Sequence, residues 1–259
     1  AFDTYVRGGG AALEKHWTEI LLIISQCCEP TKDIEMRIDM MVLMDYLIDN
    51  PIIAEQLKTY IEFILPEILL PATAWKSQRP YYKIRKSAMV CIIKLFRNNI
   101  IDTETSMTFL KDIFQVLKST LEDDYDPELR YLSIQLTKYL LLFTKDKIGR
   151  EEVLDFYPNL LKRLDDSQDA NRISISEVFK LFFQINERVQ VADSTYEYIV
   201  NTCFIHLDDP NENVRNAVFE FLKEASKTNQ STFIKICNKN LMTFTHPDLC
   251  RKLIEYANN

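Results

Sequence analysis

Leu164-Asp165-Asp166-Ser167-Gln168-Asp169-Ala170-Asn171-Arg172 and Leu207-Asp208-Asp209-Pro210-Asn211-Glu212-Asn213-Val214-Arg215 are two versions of one turn. Each begins on the last apolar residue of one helical stripe and ends on an arginine that starts another. Before the first turn, Val153, Phe156, Tyr157, Leu160, Leu161 and Leu164 are spaced i, i+3, i+4, i+7, i+8 and i+11, which is one face of an amphipathic helix. A step of 43 residues forward gives Tyr196, Ile199, Val200, Cys203, Phe204 and Leu207. The same step backward gives Leu110, Ile113, Phe114, Leu117, Lys118 and Leu121, with one polar exception. A third turn, residues 121–130, follows that copy. Second stripes come after the turns, as in Ile175, Val178, Phe179, Phe182 and in Val214, Ala217, Val218, Phe221, Leu222, Ala225.

In each turn an aspartate (Asp124, Asp166, Asp209) stands six residues before an arginine (Arg130, Arg172, Arg215). These six residues are expected to form a structural ladder that fixes one repeat against the next. Asp126-Pro127 and Asp209-Pro210 read as an N-cap followed by proline at the first helical position, where the missing N–H costs nothing. Two weaker copies lie upstream, with helices near 13–28 and 34–48 and near 55–70 and 81–98. Arg37, Arg85, Arg130, Arg172 and Arg215 recur at intervals of 48, 45, 42 and 43 residues. That is the spacing of HEAT repeats, helix pairs that shield their apolar faces by stacking on neighbours. The predicted fold is all-α, a right-handed α-α superhelix of about five to six helix pairs. It is a single array over 13–259, with units near 13–50, 55–99, 106–145, 151–188 and 194–228 and a capping unit at 231–257. His246-Pro247 is expected to start the last helix. Residues 1–12 read as a flexible arm or an expression remnant.

Composition supports helices and excludes several functions. The 259 residues include 4 Gly, and three of these are Gly8, Gly9 and Gly10. Phosphate-cradling and dinucleotide loops need more glycine than that, so no such cofactor site is expected. The 31 basic and 38 acidic residues give a net charge of −7, which argues against a nucleic-acid partner. No C-x-x-C pair occurs among Cys27, Cys28, Cys91, Cys203, Cys237 and Cys250, and the three histidines (His16, His206, His246) are scattered. Buried free thiols, no metal, no cofactor and no catalytic residue are expected. His206 reads as a packing or turn residue. No apolar run is long enough to span a membrane, and the low cysteine density fits a reducing compartment.

One stretch departs from the repeat. The second turn, PATAWKSQRPYYKIRK (71–86), carries Lys76, Arg79, Lys83, Arg85 and Lys86 without an acid, together with Trp75, Tyr81 and Tyr82. Aromatic rings beside Arg and Lys are typical of interfaces. Trp75, Lys76, Arg79, Tyr81, Tyr82, Lys83 and Lys86 are therefore the candidate partner-binding residues. The alternative is that Trp75 and Tyr82 pack under a long loop below solvated lysines. Later turns place Asp123, Asp124, Asp165, Asp166, Asp208 and Asp209 on the matching edge, so that edge is expected to run from positive to negative. Exposed residues of a second helix, such as Asn213, Asn216, Glu220 and Lys223, are further candidates.

More specific strings carry a resemblance. Tyr157-Pro158-Asn159-Leu160-Leu161-Lys162-Arg163-Leu164-Asp165-Asp166, then Asn171-Arg172, resembles the C-terminal repeats of the HEAT-repeat axonemal dynein assembly factors. So does His206-Leu207-Asp208-Asp209-Pro210, followed by Phe221-Leu222-Lys223-Glu224. The likeness covers about 150–259, extends more loosely over 106–149 and is thin before that; the aromatic-rich Phe179–Phe183 and the long second turn depart from it. It implies a non-enzymatic scaffold acting in the cytoplasm to preassemble dynein arms for cilia or flagella. The implied partners are axonemal dynein chains (intermediate or heavy), chaperones or other assembly factors. Two other readings stay open: a tubulin-binding HEAT array, or a fragment of a transport receptor or phosphatase scaffold.

Overall fold

Apolar stripes of helical period become helices throughout. The computed structural model describes residues 1–77 and 79–259, and every regular element among them is helical. The α-helices are α1 (Phe2–Gly9), α2 (Trp17–Cys28), α3 (Ile34–Asp49), α4 (Pro51–Leu57), α5 (Ile61–Ile64), α6 (Leu70–Ala72), α7 (Arg79–Arg97) and α8 (Thr103–Thr108). They continue with α9 (Leu110–Leu121), α10 (Pro127–Thr144), α11 (Arg150–Leu161), α12 (Asp169–Val189), α13 (Asp193–Phe204), α14 (Glu212–Thr228), α15 (Gln230–Asn240) and α16 (Pro247–Asn258). The chain divides into two compact units, residues 1–120 and 121–259.

In the first unit α3 packs on α2 and on α7. The helix read near 55–70 is not continuous. A 3-10 turn (Lys58–Tyr60) separates α4 from α5, and a π-turn (Leu65–Leu69) separates α5 from α6. Pro66 and Pro71 lack the N–H that a regular helix needs, so the hydrogen-bond pattern widens around them. Residues 1–12, expected as an arm, are folded. Val6 of α1 is buried, Leu13 of the following 3-10 turn is buried, and Gln56 donates to the Ala11 carbonyl at 3.1 Å. Arg7 pairs with Asp3 and lies 4.4 Å from the centre of the Tyr46 ring. Gly10 ends α1 at φ +50°, a conformation that favours glycine. Elsewhere the glycine-poor chain uses other residues for this purpose. Asn99 and Gln190 hold positive φ after α7 and α12. After α7 the Ile100 N–H bonds the Leu95 carbonyl, five residues back, closing a Schellman-type cap.

In the second unit, α10, α12, α14 and α16 pack in succession, and α13 packs on α11 and α15. Two layers of helices result, one made of the first helix of each pair and one of the second. The firmest seam, α12 on α14, is aromatic. Phe179 stacks on Phe221 with centroids 5.2 Å apart, and Phe183 meets Phe221 at 6.1 Å and the Tyr196 edge at 6.4 Å. Five phenylalanines in this unit (179, 183, 204, 221, 233) are among the largest fully buried side chains. This explains why residues 179–183 are so rich in Phe: they fill the space between two second helices. The caps also follow from the sequence, with one change. Asp126 caps α10, accepting from the Glu128 and Leu129 N–H groups, with Pro127 at the first position. Asp209 does not cap α14. Asn211 does, accepting from the Asn213 N–H, because the Asp209 carboxylate is turned toward Arg172.

Candidate interaction surface

The five repeat arginines share one interaction. Each donates to a main-chain carbonyl near the end of its own first helix. Arg37 Nε bonds Cys28 O at 3.0 Å and Arg85 Nε bonds Thr73 O at 2.9 Å. Arg130 Nη1 bonds Asp123 O at 2.8 Å, and Arg172 and Arg215 Nη1 bond Asp166 O and Asp209 O, both at 2.7 Å. Asp123, rather than Asp124, therefore corresponds to Asp166 and Asp209. Its turn is one residue longer, so the pair is separated by seven positions, and Asp124 is left exposed. The Asp123 carboxylate closes that turn by accepting from the N–H groups of Tyr125 and Asp126.

Among the described residues, Arg130 and Arg172 also reach forward to the next turn. Arg130 grips Asp166 with Nε at 2.6 Å and Nη2 at 3.0 Å. Arg163, Asn171 and the Gln168 N–H complete the shell of this buried carboxylate. Burial alone would raise the Asp166 carboxyl; the bonds from Arg130, Gln168 and Asn171 outweigh it and hold it below the usual range. Arg172 Nε lies 3.0 Å from Asp209 Oδ2 but off the N–H axis, and Arg172 Nη2 donates to Asp209 Oδ1 at 3.4 Å. Arg172 also pairs with Asp169 at 2.6 Å. Arg215 has no carboxylate within ion-pair distance among the described residues; it bonds only the Asp209 and Pro210 carbonyls. The turns are thus less acidic at the surface than their sequence: Asp166 is buried, while Asp165 keeps 81% of its side chain exposed.

The second turn is different. Trp75 is 57% exposed, so it does not pack beneath the loop. Lys76, Tyr81, Tyr82 and Lys86 are half-buried, and Arg79 and Lys83 are exposed. Lys76 Nζ stands 4.7 Å from the centre of the Tyr81 ring, and Arg37 Cζ lies 5.5 Å from the same centre. Arg85 is fully buried and also reaches Ser119 at 3.4 Å. No carboxylate lies within ion-pair distance of Lys76, Arg79 or Lys83 among the described residues. Sequence reasoning missed Arg37 as a member of this cluster; the 48-residue step to Arg85 was the available signal.

On α14, Lys223 pairs with Glu220 at 2.7 Å and lies near the Phe219 and Tyr256 rings. The cysteines are free thiols, all buried except half-buried Cys27. Burial pushes the Cys28 and Cys237 thiols up to about 12, which suppresses the reactive thiolate. His206 is buried at a turn; burial lowers its pKa against the pull of Asp165 and Asp209. Among the described residues no group of His, Cys, Asp and Glu is arranged to hold a metal ion, and no helix is long and apolar enough to cross a membrane.

No family model matches the chain. A mouse protein, dynein axonemal assembly factor 5, is 22% identical over 98% of this chain. The Xenopus laevis protein of that name is 24% identical over 90% of it. The chain is similar to dynein axonemal assembly factor 5. It spans 31% of the length of the mouse relative and 29% of the frog one. Among solved structures, an archaeal HEAT-like repeat protein from Thermococcus onnurineus superposes with a TM-score of 0.56 at 12% identity, covering 96% of this chain and 91% of its own. The fold is accordingly that of the HEAT and armadillo helical repeats.

Proposed function

We propose that this chain is a non-enzymatic scaffold acting in the assembly of axonemal dynein, holding protein partners on the surface of its helical repeats. The observation that carries the reading is the similarity to dynein axonemal assembly factor 5 along nearly the whole chain. The repeat fold supports it, since stacked helix pairs create extended surfaces suited to binding other proteins. The partners proposed are dynein intermediate or heavy chains, together with chaperones or other assembly factors, met in the cytoplasm before the arms enter the cilium or flagellum. The work is surface complementarity, with no reacting group.

Affinity capture of the full-length protein from ciliated or flagellated cells tests this. Recovery of dynein chains is the expected result. Recovery of tubulin alone, or of nuclear-transport cargo alone, would overturn it in favour of a tubulin-binding array or a transport receptor.

A further inference from the structure

The turn at 71–86 lacks the acid that its place in the repeat calls for. In the second unit, Asp166 and Asp209 receive Arg130 and Arg172 from the preceding repeat. The arginine preceding the second turn is Arg37, and that turn offers it no carboxylate. Arg37 is nonetheless 4% exposed, and its Nη1 is buried with no hydrogen-bond partner among the described residues. The Tyr81 ring is what it meets instead. A buried guanidinium without a counter-charge is costly, and a ring face offsets only part of that cost.

The surroundings add to the positive potential. Lys76 shares the Tyr81 ring with Arg37, and Arg79 and Lys83 stand exposed one turn apart on α7. The first turn of α7 carries no acid, and the positive end of its helix dipole lies here. Trp75 supplies an exposed apolar surface beside these charges.

We propose that Trp75, Lys76, Arg79, Tyr81 and Lys83, with the buried charge of Arg37 behind them, form a docking site for an acidic peptide segment of a protein partner. Its carboxylates supply the negative charge that the turn lacks, and an apolar residue between them covers Trp75. A peptide is favoured over a nucleic acid because the chain's net charge of −7 repels a long polyanion, whereas a short acidic segment meets only the local field. The inference rests on the scaffold reading only in taking the ligand to be a protein.

The test uses the full chain and a fluorescein-labelled peptide of about 14 residues, repeating Glu-Glu-Phe, followed by anisotropy at about 50 and 200 mM salt. Saturable binding that weakens with salt is expected, with no binding of the Gln-Gln-Phe counterpart. The triple charge reversal Lys76→Glu/Arg79→Glu/Lys83→Glu is expected to weaken binding at least about tenfold, and Trp75→Ala severalfold. Lys83→Glu alone, at an exposed site, is expected to weaken it about threefold, which covers the case of a misfolded triple variant. No binding by the unaltered chain, equal binding by the variants, or tighter binding of a single-stranded RNA of similar length would overturn the proposal. Dynein capture without peptide binding would overturn this inference and leave the scaffold reading standing. Peptide binding without dynein capture would do the reverse.

Discussion

Arg130 in the second unit and Arg37 in the first hold matching places in the repeat, and both are buried. Both donate to a carbonyl of their own turn. Arg130 then closes on Asp166, while Arg37 meets a tyrosine ring and keeps one nitrogen unpartnered. The difference shows that the forward acid is not what brings the arginine inside. The link to its own turn does that, and the acid is a second, separable interaction. Where the acid is present, the turn is sealed against its neighbour. Where it is missing, positive charge is left for something else.

The largest expected effect comes from opening the sealed turn. Asp166→Ala leaves Arg130 buried and unpaired, and should cost about 3–5 kcal/mol in urea unfolding followed by circular dichroism. Acid should produce the same loss without mutation. Because the folded Asp166 pKa is depressed, its stabilisation is complete above the unfolded value of about 3.9 and disappears as pH falls through the lower folded value. A variant already lacking Asp166 should show a flatter stability profile over that window. If Asp166→Ala instead unfolds like the unaltered chain, the Arg130 contact carries no stability.

A smaller effect separates the second rung from ordinary surface pairs. Arg172→Ala removes a partly buried ion pair and its bond to the Asp166 carbonyl, and should cost about 1–2 kcal/mol. Lys162→Ala removes only an exposed pair with Glu122 and should cost about 0–1 kcal/mol. Equal melting temperatures for the two variants would show that the rung is no better than a surface contact.

The smallest effect belongs to the open turn. Arg37→Met replaces a guanidinium that already lacks a full set of partners by an apolar chain of similar length. It should change stability by no more than about 1 kcal/mol in either direction. A loss as large as that of Asp166→Ala would mean that Arg37 is sealed after all, and the comparison between the two turns would collapse.

Much of the fold was legible. The stripes ending at Leu164 and Leu207 follow helical spacing, and all of their members are buried except half-buried Tyr157. His246-Pro247 marks the start of α16. What escaped was local. The π-turn between α5 and α6 depends on how Pro66 and Pro71 redirect main-chain bonding, and an apolar stripe encodes neither it nor the 3-10 turn at Lys58–Tyr60. Residues 1–12 hold too few apolar side chains to form a stripe, and only packing shows that Val6 is anchored. The pairing of Asp123 over Asp124 is decided by one added residue in a turn. For the candidate surface, the charge and aromatic content of 71–86 were plain, but the part played by Arg37 depends on an approach to Tyr81 across 44 positions.

The bond from each arginine to a main-chain oxygen has a consequence for how such repeats diverge. A backbone carbonyl is present whatever amino acid occupies the position, so mutation there cannot delete the acceptor. Turn sequences are therefore free to drift, lengthen or exchange acid for base while the helices stay anchored. Low overall identity among relatives sharing this architecture is what such a tolerance would leave behind.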